Sequence, residues 1–258
     1  MLTRWRRWRE DRLLARVTLD ETRWRELSSL YPPGRSWPAP LQQHWRELAL
    51  RFLVRKRFLS GAGFAISEDM RLQVAALAVL PVLGLGLDWY DDWDHLVLYE
   101  TAFIPPFPEQ DEFGLVHPPG EARAGEAWDD GPVILSWEDI LAPAGPDCNV
   151  VIHEMAHKLD MRNGLADGAP PLHRGMSAAR WQAVMQQAWE QAHQHEAAGL
   201  PLPLDEYGLT EPAEFFSVLS EHFFMAPDAL AAAWPEVYEQ LALFYRVDPL
   251  RPDLFPWS

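Results

Sequence analysis

The chain has a single cysteine, Cys148, among 258 residues. No disulfide can close within it, and a four-cysteine zinc or iron–sulfur site is excluded. Basic side chains are scarce beside acidic ones: Lys and Arg total 22, Asp and Glu 38, for a formal charge of −16. A field of that sign repels phosphate backbones, so no nucleic-acid partner is expected. Long apolar runs are missing too. The most apolar stretch, Leu72 to Leu87, is broken by Gln73, Pro81, Gly84 and Gly86. It is short of a membrane span and reads as a buried helix ending in a turn. The N-terminal MLTRWRRWREDRLLARV lacks the apolar segment of a signal peptide. The Trp5–Arg9 cluster reads as a solvated helix with its tryptophans turned inward. The expected setting is therefore reducing and cytoplasmic, with no membrane.

What is present points to a packed globule. The chain is 48% hydrophobic, with 13 Trp and 12 Phe, enough for a large core. Residues 1–60 carry helical spacing, with Tyr31-Pro32-Pro33-Gly34 breaking the run and a second helix following at roughly 40 to 58. Ile66 to Leu80 reads as a third helix, entered at Ser67 with Glu68 and Asp69 in its first turn. His95–Tyr99 and Val133–Trp137 are short β-branched and aromatic runs, read as strands. Between them lies a long Pro/Gly/acid stretch, residues 105–131, of the kind that is usually functional or mobile. Two more helices are expected at roughly 177 to 197 and 211 to 224. The predicted fold is α+β and mostly helical, with a small sheet beside a metal-binding helix. A helical segment, residues 1–60, packs on a catalytic unit, residues 61–258.

That helix is VIHEMAHKLD, residues 151–160. Its histidines stand four apart, one helical turn, so the two imidazoles can converge on one ion. Glu154 follows the first histidine and can reach a water held by that ion, which is why the H-E-x-x-H pattern suits zinc hydrolases. Val151, Met155 and Leu159 form the inward stripe, and Asn163-Gly164 ends the element. A catalytic zinc site needs a third protein ligand. The segment Glu211–Glu221 offers three carboxylates on an otherwise apolar helix, with Thr210 as N-cap. Glu211 suits the helix N-terminus. Glu214 and Glu221 lie seven apart among aromatics, where a carboxylate needs a cation or several donors. Glu214 is taken as the ligand. Glu221 is either a hydrogen-bond partner of a ligand histidine or exposed. Among the rest, Asp160 is expected to orient His157 and Cys148 to be a buried, inert thiol. His173, His193 and His195 are read as ordinary loop or surface residues, and His222 as pointing outward.

VIHEMAHKLDMRNG and DEYGLTEPAEFFSVLSEHFF, with LPVLGLGLDWYDDWDHLVLY, EFGLVHPPG and GPVILSWEDI before them and LFYRVDPL after them, resemble the MtfA (Mlc titration factor A) metallopeptidases. The likeness runs in order over most of the chain beyond its basic N-terminus. It implies a gluzincin-type core similar to lethal-factor zinc proteases. Zn2+ is then held by His153, His157 and Glu214, with Glu154 as general base and Tyr207 donating its hydroxyl to the oxyanion. It also implies that His117, in GLVH, can bind the metal. Such a closed four-ligand site would mark a latent state under a lid formed by residues 105–131; the alternative is a free surface histidine. The implied activity is aminopeptidase-like hydrolysis of peptides. From its apolar character, the strand at 132–138 is expected to offer an edge to an extended substrate. The implied macromolecular partner is an Mlc-like transcriptional repressor. A non-catalytic repressor-binding protein with a vestigial zinc site is the alternative function.

Overall fold

Local chemistry sets the helix starts. In a computed structural model that describes residues 10–12, 14, 19, 21–103, 124–127 and 131–254, Ser67 caps helix α3 (Glu68–Ala78) by accepting from the Met70 amide at 3.1 Å. Before it run α1 (Glu21–Leu27) and α2 (Ala39–Arg55). The second helix is shorter than its spacing predicted. The chain extends at Lys56, and Arg57–Ser60 forms strand β1, paired in parallel with β2 (His95–Tyr99). Tertiary pairing overrides the helical pattern there.

The sheet has four strands in the order β1-β2-β4-β3. Strand β4 (Val133–Ser136) lies parallel to β2, with Leu96 opposite Val133. Strand β3 (Gly125–Ala127) is antiparallel to β4, with Gly125 opposite Leu135. All four residues of β4 are buried, as expected of a strand covered on both faces. The fold is α+β, mostly helical, with this small mixed sheet. One expectation is corrected: β4 is interior, so it has no open edge. Among the described residues the terminal strand on that side is β3, three residues inside the stretch read as loop. Gly-Glu-Ala has little strand preference of its own; pairing with β4 makes it a strand.

The chain continues as α4 (Trp137–Leu141), α5 (Val150–Asp160), α6 (Ala178–Ala197), α7 (Pro212–Met225), α8 (Pro227–Ala233) and α9 (Pro235–Tyr245). Helix α5 packs on α7, α3 and β3. Trp24, Tyr31, Trp37 and Trp45 meet edge to face at 5.0–5.7 Å. Trp45 donates to the Ala76 carbonyl at 2.7 Å, and Tyr31 to that of Phe224 at 3.0 Å. The early helices therefore share one core with α7.

Two ammonium groups are enclosed in this core. Lys56 donates to the carbonyls of Tyr90 and Trp93, and its Nζ lies 3.8 Å from the Trp93 ring centre. Burial pushes its pKa down to about 8, against the pull of Asp94, Asp92 and Asp91. Lys158 approaches the same ring, at 5.8 Å, and donates to the Gly131 carbonyl at 3.0 Å. Among the described residues no helix is long and apolar enough to cross a membrane. The readings made for Trp5–Arg9, for His117 and for most of the lid lie outside the described residues.

Candidate metal centre

Helix α5 begins at Asn149, whose side chain accepts from the Ile152 amide at 3.1 Å. Val151, Ile152, Met155, Ala156 and Leu159 are fully buried. That inward stripe fixes the rotation of the helix, and His153, Glu154 and His157 then face a cavity of about 900 Å³. Helix α7 starts at Pro212, after Glu211 and not Thr210 as its N-cap; Thr210 belongs to the preceding turn. Phe215, Phe216, Leu219 and Phe223 anchor α7 in the core. Its other edge brings Glu214 to the two histidines.

Three ligand atoms meet there. His153 Nε2 lies 2.9 Å from Glu214 Oε2 and 3.1 Å from His157 Nε2. His157 Nε2 lies 3.3 Å from the same Glu214 oxygen. Ligands of a tetrahedral ion with bonds near 2.05 Å stand roughly 3.3 Å apart, so the triangle has nearly the size of one face of that tetrahedron. Burial works against a proton on His153, but its hydrogen bonds to Glu214 and Glu221 outweigh that and raise its pKa. Burial likewise opposes charge on Glu214, yet its bonds to His153 and His157 hold it well below the usual carboxylate range. Both shifts mark a place that favours positive charge. The two imidazoles and one carboxylate fit a divalent metal ion.

Glu221 is buried and uses both oxygens. Oε1 lies 2.7 Å from His153 Nδ1, and Oε2 accepts from the backbone amide of Asn149. It therefore orients the imidazole and tethers the start of α5 with one carboxylate. Glu221→Ala leaves that amide and Nδ1 without partners. We expect a loss of about 2–4 kcal/mol of stability and a 10–100-fold weaker hold on metal, read from urea midpoints and competition with a chelating dye. Unchanged midpoints would contradict the tether.

Glu154 is 4% exposed, and its Oε2 has no hydrogen-bond partner among the described residues. Burial raises its pKa, against the pull of His153 and His157. Strand β3 passes directly over it: a methyl group at Gly125 would lie 2.5 Å from Glu154 Oε1. Tyr207 sits on the turn Glu206–Leu209 before α7, 54% exposed, its ring centre 6.0 Å from that of His153. It lines the same cavity.

Other expectations change. His222 does not point outward; it is buried, its Nδ1 3.0 Å from the Val218 carbonyl and its Nε2 2.9 Å from Asp147. Helical phase foretells this, since Phe215, Leu219 and His222 lie at i, i+4 and i+7. Asp160 accepts from the Gly168 amide at 2.7 Å, holding the loop after α5 in place of His157. Cys148 is half-buried on the cavity wall, and burial pushes its thiol up to about 11. The role of Gly125 had no signal in the sequence, because nothing local announces β3.

The sequence pattern of the family described as glucose-regulated metallo-peptidase M90 matches residues 5–246. Curated relatives include "Mlc titration factor A" of Yersinia pestis (strain Pestoides F) and of Yersinia pseudotuberculosis (serotype O:1b, strain IP 31758). Each is 38% identical over 215 residues, covering 82% of this chain and 79% of the relative.

Proposed function

We propose that this chain, which belongs to the glucose-regulated metallo-peptidase M90 family, hydrolyses peptide bonds with a zinc ion held by His153, His157 and Glu214. The observation that carries the proposal is the meeting of those three ligand atoms beside the buried Glu154. Two imidazoles and a carboxylate are a donor set suited to zinc. When bound, zinc supplies the charge that lowers the pKa of a water and polarises the scissile carbonyl.

The protein's own groups do the rest. Glu154 takes a proton from the attacking water as its oxygen bonds to the carbonyl carbon. Its raised pKa suits it to hold that proton and then pass it to the departing amine nitrogen as the C–N bond breaks. Tyr207 donates its hydroxyl to the oxygen that gains charge. Gly125 keeps the strand clear of Glu154. Among the described residues β3 is a terminal strand of the sheet, so an extended substrate adds along it by backbone hydrogen bonds. Products are a carboxylate and a free amine. Aminopeptidase-like action on short peptides and a cytoplasmic setting remain part of this reading.

The test is cleavage of fluorogenic aminoacyl amides and short peptides by purified protein. Chelation is expected to stop it and zinc to restore it. Metal-free protein that cleaves equally well would refute the proposal. The name shared by the relatives favours a second reading, binding of an Mlc-like repressor. If the chain retains repressor in a pull-down but cleaves no peptide when loaded with zinc, that reading replaces the first.

A further inference from the structure

We infer that the cleft selects peptides bearing Lys or Arg side chains beside the scissile bond, with Asp139 and Glu211 among the residues that set the preference. The inference rests on the peptidase reading and names its substrate class.

Beyond the groups already given roles, the cavity is walled by Glu126 on β3, Asp139 on α4, and Asp205 and Glu211 ahead of α7. Among its described lining residues there is no Lys or Arg. With Glu154, Glu214 and Glu221 the wall holds seven carboxylates. A divalent ion offsets two of those formal charges. His222, the lining imidazole outside the metal cluster, already faces Asp147.

Several acids elsewhere on the protein are ion-paired. Asp69 pairs with Arg23, Glu10 with Arg51 and Arg55, Glu236 with Arg180, and Asp248 with Arg251. Asp139, Asp205 and Glu211 have no ion-pair partner among the described residues.

A separate observation points to a donor-bearing guest. Glu154 is 4% exposed on the cavity wall and its Oε2 meets no donor among the described residues, and the Oδ2 of Asp139 is likewise buried without one. A buried acceptor left so costs about 1–3 kcal/mol, which a guest carrying N–H groups recovers. A cation 5–8 Å from one such carboxylate gains about 0.5–3 kcal/mol, depending on local screening. An acidic side chain loses as much, and the −16 charge of the whole chain steers in the same sense.

The test uses zinc-loaded Glu154→Gln protein, so that binding is read without cleavage. Fluorescent alanine-rich peptides carry paired lysines, glutamines or glutamates flanking the central bond. Anisotropy titrations are expected to rank lysine over glutamine over glutamate, with lysine at least about tenfold tighter than glutamate at low salt. Added salt should shrink the gap. Asp139→Asn combined with Glu211→Gln should cut the lysine-to-glutamate ratio at least about threefold. Equal affinities, a reversed order, a salt-independent ratio or no binding of the lysine peptide overturns the inference. Cleavage by the parent protein is scored separately. A parent protein that cleaves all three peptides equally removes the preference and keeps the peptidase. Lysine-selective binding with no cleavage of these peptides or of fluorogenic aminoacyl amides removes the peptidase and keeps the preference.

Discussion

Glu154→Gln should lower peptide turnover by about 10²–10⁴-fold, the usual worth of a positioned general base, while leaving bound metal unchanged. The amide is nearly isosteric, so the strand that carries Gly125 over it is not displaced. Glu154 is also not one of the converging ligand atoms, so the metal cluster keeps its donors. What disappears is a carboxylate able to accept a proton in a pocket where burial has raised its pKa. Steady-state kinetics on the zinc-loaded protein, with metal content measured on the same samples, check both halves. Turnover within a factor of a few of the parent would remove Glu154 from the chemistry.

Glu214→Ala acts on the opposite half of the site. It deletes the oxygen that stands 2.9 Å and 3.3 Å from the two histidine nitrogens. Two imidazoles on one turn then remain, and the loss of a part-buried charged partner is worth about 3–5 kcal/mol. Metal affinity is therefore expected to fall about 10²–10⁴-fold. The protein should leave a desalting column with little metal and show little cleavage until zinc is in large excess. Stoichiometric metal in this variant would place the third ligand elsewhere. The contrast with Glu221→Ala is informative: that variant keeps all three donor atoms and loses only their support.

Both variants concern residues legible in the sequence, and the reason is geometric. Helical periods are local, so His153, Glu154 and His157 announce a shared face without any knowledge of the fold. A second apolar helix carrying Glu214 and Glu221 seven apart likewise declares its inward carboxylates. Strand β2 and the capped start of α3 carry strong local signals too. What stayed hidden depends on partners far along the chain. β1 continues a helical pattern and becomes a strand only beside β2. β3 is three residues of weak preference made regular by β4. The hold of Glu221 on the Asn149 amide spans 72 positions and has no local trace. Helices α8 and α9 carry a local signal as well. Pro227 and Pro235 each stand at a first helical turn, where proline is favoured.

The two enclosed ammonium groups have a practical corollary. Lys56 and Lys158 are the only lysines in the chain, and both are buried; every other basic side chain is arginine. Reagents that acylate or cross-link lysine amines therefore meet none on the folded surface. Modification at either position can proceed only as the packing around Trp93 opens. Mass-resolved labelling of those two sites thus serves as a clock for local unfolding beside the metal helix.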